Sequence, residues 1–277
     1  TEKRNPHDFA VWIKAPENHL MKWDSPWGPS YPGWHIECSV MSQKYLGEVF
    51  DIHTGGIDLI PTHHENEIAQ SKGMCGKIPA NYWMHGEFLL INGGKMSKSL
   101  GNVYLLQDIV DRGYDPLVYK LFCYSIQYRK KLNFTWEGMD SAKIALDRLR
   151  EAYQKHLTGT EDVAEELISK YEKDFNEAIN DDLNMPVAMS VVWEVAKRTE
   201  KSKKLAELLK KFDRVLGIKI DEHKEEEIPD DIKELLTKRA EARKNKDWAE
   251  SDKIRDIIKE KGYIVKDSKE GQTVEKI

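Results

Sequence analysis

Val49-Phe50-Asp51-Ile52-His53 runs β-branched and aromatic residues together and stops at Thr54-Gly55-Gly56, a short β-prone segment closed by a turn signal. Downstream, His63 to Lys72 predicts a helix, and Tyr82 to Ile91 is aromatic and aliphatic enough for a buried strand ending at Asn92-Gly93-Gly94. Strand, turn, helix and strand in that order predict an α/β sheet. Upstream, Ile36, Val40, Met41 and Tyr45 recur at helical spacing from Trp34 to Leu46, while the first 34 residues, rich in Pro and Trp, read as irregular.

Beyond the sheet, Leu105–Val110 and Pro116–Tyr128 read as helices, and Gly138-Met139-Asp140 reads as a break. Long amphipathic patterns then cover about 141–157, 161–179, 186–199 and 201–215, which predicts a helix bundle. Asp221 to Asp231 is an acidic, Pro-containing linker, Ile232 to Lys261 a helical stretch of mixed charge, and Gly262-Tyr263-Ile264-Val265 a short strand. Three domains are expected: an α/β region over 1–138, a helical bundle over 139–220 and a small C-terminal domain over 221–277.

The 277 residues carry 43 Lys and Arg against 48 Asp and Glu, a formal net charge of -5. Nucleic-acid binding usually shows as a basic excess, so any RNA surface here must be local. No stretch reaches the roughly 18 apolar residues of a membrane span, and no signal-peptide pattern is present. A soluble, cytoplasmic chain with no membrane partner is expected. Cys38, Cys75 and Cys123 are too few and too widely spaced for a disulfide framework, which favours a metal or catalytic role for one of them.

Two constellations carry chemistry. Lys95-Met96-Ser97-Lys98-Ser99 follows Gly93-Gly94, so two cations and two hydroxyls on one loop can surround a polyphosphate and take up charge as pyrophosphate departs. Composition alone equally accommodates an exposed Lys/Ser loop. His63 and Glu67 share a helix face, and Cys38 can reach them from the preceding helix. Thiolate, imidazole and carboxylate are all zinc ligands. A small buried cysteine is the competing reading.

Lys95 to Ser99, followed by Leu100-Gly101-Asn102, resembles the signature loop of class I aminoacyl-tRNA synthetases. Gly33-Trp34-His35-Ile36-Glu37-Cys38-Ser39, Asp51 to Leu59, His63 to Ser71 and Tyr82-Trp83-Met84-His85 resemble cysteinyl-tRNA synthetases, in order and at similar spacing. Asp181-Asp182-Leu183-Asn184 and the terminal basic helix extend that resemblance to essentially the whole chain. It implies the second half of a Rossmann-type nucleotide-binding domain, then an α-helical bundle anticodon-binding domain and a small C-terminal domain.

The resemblance also implies an activity: cysteine and ATP, with magnesium, form cysteinyl-adenylate, and cysteine passes to tRNA(Cys). It makes Lys95, Ser97, Lys98 and Ser99 catalytic, with Lys98, Gly55, Gly56 and Asp58 at the nucleotide, and Trp34, His53 and His64 at the amino acid. Cys38, His63 and Glu67 become three of four zinc ligands, the fourth being a cysteine near the family's N-terminus without a counterpart here.

Three departures stand out: Ile60-Pro61-Thr62 before His63, Ser30-Tyr31 where Gly-Arg is usual, and Gly271-Gln272-Thr273-Val274, which lacks a closing Trp. The His-Ile-Gly-His-type element of the family's first half is absent from these residues. A separate N-terminal half carrying it is therefore an expected partner, and a monomer the expected state. Lys233, Lys238, Arg239, Arg243, Lys244, Lys246, Lys253 and Arg255, with Trp248, are candidate RNA contacts. A non-catalytic tRNA-binding fragment or paralogue, and a cysteine ligase acting on an amino-sugar in thiol cofactor synthesis, are the alternative functions.

Overall fold

Gly33 fixes where the first helix begins. Two short antiparallel strands, β1 (Trp12–Lys14) and β2 (Ser30–Pro32), bring the chain back on itself, and a Cβ at Gly33 would stand 2.6 Å from the Ala10 carbonyl oxygen. Only a residue without a side chain lets α1 (Trp34–Leu46) start this close to that backbone. The computed structural model describes residues 3–222, 229–268 and 271–276. It divides into two compact units, Thr1–Glu222 and His223–Ile277.

In the first unit, β3 (Phe50–Gly56) and β4 (Ala80–Gly86) pair in parallel, with His53 opposite Trp83 and Gly55 opposite His85. A parallel pair needs a crossover. Here it is a 3-10 turn (Ile57–Leu59), a single π-helical turn (Ile60–His64) and α2 (Glu65–Cys75). The strand does not break at Thr54 as the sequence suggests, because Gly55 and Gly56 remain in the ladder. Glycine in a strand here marks close approach of a neighbouring group.

Nor is Tyr82 to Ile91 one buried strand. It divides into β4 and β5 (Leu89–Ile91), which belong to different sheets, and Tyr82 is exposed. The division falls at Glu87, whose N–H donates to the Tyr128 carbonyl at 2.8 Å. β5 lies between β6 (Gly94–Lys95) and β7 (Leu132–Phe134), antiparallel to the first and parallel to the second.

α3 (Leu106–Asp111) and α4 (Pro116–Cys123) follow β6 in sequence. α4 stops five residues before the expected Tyr128, because Gln127, Tyr128 and Arg129 turn to hold the Asp182 carboxylate. Those donors, Arg129 foremost and then Tyr128, pull Asp182 down to about 2. Asp182 and Leu183 both have positive φ, so this clamp sits where the backbone needs outside support.

Gly138, expected as a break, lies inside α5 (Trp136–Leu157). Its N–H is capped by the Thr135 hydroxyl at 3.0 Å, and a Cβ there would stand 2.8 Å from the Phe122 ring. With α6 (Glu165–Asn180), α7 (Met185–Ala196) and α8 (Lys203–Leu216), α5 forms a bundle. Its core is continuous with the β5–β7 sheet: Ile91 and Phe134 join Val118 and Phe122, then Leu149, Phe175 and Phe212. Phe175 and Phe212 stack at 4.1 Å. None of the described helices is long and apolar enough to cross a membrane.

The second unit is α9 (Asp230–Lys244), α10 (Trp248–Glu260) and a hairpin of β8 (Tyr263–Ser268) and β9 (Gly271–Lys276). The expected single helical stretch is interrupted at Lys246, which has positive φ, and Asp247 caps α10 through the Glu250 N–H. Arg239 is 1% exposed and grips both Asp267 oxygens, at 2.8 and 2.9 Å, and Gln272 at 2.7 Å. It is an internal tie between helix and hairpin, not the surface cation its sequence context suggests. Lys238, Arg243, Lys244, Lys246 and Trp248 are exposed. Most of the acidic linker, residues 223–228, lies outside the described residues.

Candidate functional site

The crossover from β3 to β4 assembles a cluster of imidazoles around one carboxylate. The π-helical turn delivers His63 and His64 side by side, and the first turn of α2 delivers Glu67. Single π turns inside helices are common at functional sites. α1 contributes Trp34, His35 and Cys38, β3 contributes His53, and β4 contributes Trp83 and His85.

Glu67 is 2% exposed, and two imidazole nitrogens face its carboxylate: His63 Nε2 at 2.9 Å from Oε1, and His53 Nε2 at 3.1 Å from Oε2 and 3.3 Å from Oε1. One ligand atom each from Cys38, His63 and Glu67 fall within 4.8 Å of one another. His53, His64 and Glu67 do the same. Behind them, His35 Nδ1 meets His63 Nδ1 at 2.8 Å, and His85 Nε2 meets His64 Nδ1 at 2.7 Å.

Burial lowers three of these imidazoles, His63, His64 and His85. His64 is pushed down to about 4 by burial and then by its histidine neighbours, and His63 is lowered by burial against the pull of Glu67. His85 is lowered by burial and then by Arg129. The Cys38 thiol is raised, first by burial and then by Glu67 and Glu37. A thiol, a buried carboxylate and the lowered imidazole of His63 are all donors that zinc accepts, so the residues present fit a zinc ion.

Trp34, 59% exposed, lays its ring 4.2 Å from that of His63. Gly55 touches the cluster in a way the sequence does not reveal. The space its missing side chain leaves is filled by His64: a Cβ would stand 2.7 Å from His64 Cε1 and 2.8 Å from Leu59 Cδ1. At Gly56 the nearest group is instead the carboxylate of Asp58, on an exposed turn.

Lys95 to Ser99 is built on the other sheet. Lys95 ends β6, Met96 packs against the core, and Lys98–Leu100 form a 3-10 turn closed by Gly101 at φ 62. Lys95, Lys98 and Ser99 are exposed, and Ser97 Oγ lies 3.0 Å from Ser99 Oγ. Asn102 pins the loop from beneath: its amide nitrogen donates to the Lys95 carbonyl at 2.9 Å, and its oxygen accepts from the Ser97 N–H at 2.8 Å.

His35, Trp83, His85 and Asn102 stand in the motifs that carry the resemblance, but were assigned no role of their own from the sequence. Trp83 and His85 carry a usable signal, being two apart on one strand and so on one face. Their partners across the ladder are His53 and Gly55.

Residues 1–144, just over half of the chain, match the family of tRNA synthetases class I (C) catalytic domains. The chain belongs to this family. Residues 174–221 match the DALR domain and residues 225–274 the cysteinyl-tRNA ligase anticodon binding domain. Cysteine–tRNA ligase 1 of Burkholderia lata is 44% identical over 98% of this chain and 57% of its own length. Cysteine–tRNA ligase of Bacillus cereus is 43% identical over 98% and 62%, and that of Treponema denticola 41% over 96% and 61%. The chain therefore spans about three fifths of the length of these relatives. A solved ternary complex of Agrobacterium radiobacter K84 agnB2 LeuRS with tRNA and LeuAMS superposes at a TM-score of 0.53 and 15% identity, covering 72% of this chain and 32% of that one. At that identity the likeness is one of fold.

Proposed function

We propose that the chain is the C-terminal part of a cysteine–tRNA ligase, a monomeric cytoplasmic enzyme that activates cysteine with ATP and charges tRNA(Cys). The observation that carries the proposal is the convergence of Cys38, His63 and Glu67 within 4.8 Å, two of them almost fully buried. These three residues would hold a zinc ion. When bound, it supplies a soft Lewis acid that accepts a thiolate sulfur far more readily than a hydroxyl, which distinguishes cysteine from serine.

The remaining chemistry belongs to the chain's own residues. A cysteine carboxylate oxygen forms a bond to the α-phosphorus of ATP as the bond to pyrophosphate breaks, and the tRNA terminal hydroxyl then displaces AMP at the carbonyl carbon. Lys95 and Lys98 neutralise the departing pyrophosphate, with Ser97 and Ser99 donating to its oxygens. Gly56 and Asp58 lie at the adenosine, Asp58 accepting a ribose hydroxyl, while Gly55 serves the site by seating His64. Trp34, His53 and His64 line the space for the amino acid. Residues 1–138 act as the catalytic part, 139–220 as the helical tRNA-binding part and 221–277 as the anticodon-region domain. The matched anticodon-binding segment favours tRNA over an amino-sugar as acceptor.

The test is cysteine-dependent pyrophosphate exchange, run with and without an added half carrying the His-Ile-Gly-His-type element. Lys98→Ala and Cys38→Ala should each abolish exchange in the competent assembly. Exchange that survives both changes overturns the assignment.

A further inference from the structure

The carboxylate of Asp182 gathers donors from a turn far away in sequence. Arg129 donates through Nε at 2.6 Å and Nη2 at 3.1 Å, the Tyr128 hydroxyl at 2.6 Å and the Gln127 amide at 3.1 Å. To present that carboxylate, Asp182 and Leu183 stand in succession at φ 53 and 52, a conformation that is costly for residues with side chains and most of all for bulky ones. Arg129 and Asp182 are 53% and 45% exposed, and an ion pair so open to water offsets little of that cost. Backbone strain with so small a return in stability points to a function.

The other end of the clamp shows what it holds. With three side chains on Asp182, the turn at 127–129 sets the Tyr128 carbonyl, which accepts from the Glu87 N–H at 2.8 Å. The pairing then continues through the Leu132 N–H on the Phe88 carbonyl, at 3.2 Å, into the β5–β7 ladder. Glu87 lies two residues past His85, at the end of β4, and His85 Nε2 braces His64 Nδ1 at 2.7 Å. Arg129 also reaches this end of the strand, since after burial its charge is the largest influence on His85. Opposite His85 in the ladder stands Gly55, whose missing side chain leaves the room that His64 fills. A shift at the end of β4 therefore moves the brace on His64. We propose that Asp182 is a positioning residue for the amino-acid site: from the corner between α6 and α7 it fixes, through Arg129 and Tyr128, where His85 braces His64. This gives the Asp181–Asn184 run a task in the catalytic part, although it lies in the helical part.

The inference rests on reading His64 as lining the space for the amino acid, and two measurements keep the claims apart. Asp182→Asn removes the charge while keeping a residue type that tolerates positive φ, and the milder Tyr128→Phe removes one donor and leaves the backbone alone. On the chain itself, ring-proton NMR at a single pH should show the His64 and His85 resonances displaced in both variants, with those of His19, on the N-terminal hairpin, unmoved. In the assembly with the added half, pyrophosphate exchange should show KM for cysteine raised about 2- to 30-fold, more in Asp182→Asn than in Tyr128→Phe, with KM for ATP unchanged. Resonances of His64 and His85 that stay in place in both variants overturn the tie. Displaced resonances with KM for cysteine unchanged overturn the positioning role, and so does an equal rise in KM for cysteine and for ATP, which marks a general loosening. His64→Ala is the control: if it too leaves KM for cysteine unchanged, the reading of His64 fails first and the proposal falls with it.

Discussion

Adding one methyl group at Gly55 should disturb the site, and adding one at Gly56 should not. At Gly55 the new Cβ would lie 2.7 Å from His64 Cε1 and 2.9 Å from its Nε2. That ring cannot swing aside, because His85 holds it at 2.7 Å and Trp83 packs on it at 5.1 Å. Overpacking of this kind costs about 1–3 kcal/mol, against a gain of about 0.4–1 kcal/mol from a stiffer unfolded chain. Gly55→Ala should therefore lose about 1.3 kcal/mol at the middle of both ranges, and at most about 2.6 kcal/mol. At Gly56 the only group met is the Asp58 carboxylate, the free end of an exposed side chain. Gly56→Ala should thus lie between no change and a gain of about 1 kcal/mol. Urea unfolding followed by tryptophan fluorescence reads the difference, since every tryptophan except Trp248 precedes residue 223. In the Gly55 variant a displaced His64 should also titrate above its present value of about 4, visible by NMR of the ring protons. Equal stability of the two variants, with His64 titrating unchanged, refutes the packing argument.

Asn102→Ala removes both hydrogen bonds that pin the Lys95–Ser99 loop and should slow cysteine-dependent pyrophosphate exchange by about 5- to 30-fold, with KM for cysteine unchanged; an unchanged rate counts against a positioning role. Asp213 accepts from the N–H groups of Ile218 and Ile220, both fully buried, so Asp213→Ala should lower the urea-unfolding stability by about 2–4 kcal/mol, and Asp213→Asn by less. His156 is fully buried against the Val195 and Ala196 carbonyls, and its pKa is lowered by burial and then by Lys201. Below about 6.5 the unfolded chain takes up a proton that the folded chain refuses at this position, so its contribution is complete above that pH and is lost as pH falls towards the folded value. His156→Gln should make stability fall less steeply between pH 7 and 5, and an identical slope contradicts the assignment.

The sequence was most legible where one residue acts through its own chemistry. His63 and Glu67 were readable as paired donors because ligand type and helical spacing are local properties, whereas Cys38 joined them through the resemblance; the structure brings the three donor atoms together. Trp34–Leu46 was readable as a helix for the same reason. What failed was glycine. Gly55 and Gly138 read as breaks, yet each is a place where a ring from elsewhere, His64 or Phe122, needs the room a side chain would fill. Such a partner is distant in sequence and leaves no local trace. Arg239 was misread similarly: a basic residue on a charged helix resembles a phosphate contact until the hairpin carrying Asp267 folds against it. From α9, Arg239, with Arg243 assisting, pulls Asp267 down to about 2.

The unbroken core of the first unit has a mechanical consequence. Phe212 on α8 stacks on Phe175, and the same packed body continues through Leu149, Phe122 and Phe134 to Ile91, the last residue of the strand that pairs with Gly94 and so borders the lysine loop. Close-packed interiors have low compressibility and transmit strain. A load applied to the helices thus has a route of touching side chains to the root of that loop, running beside one open pocket lined by Phe122 and Met189 and another lined by Ile91 and Phe134.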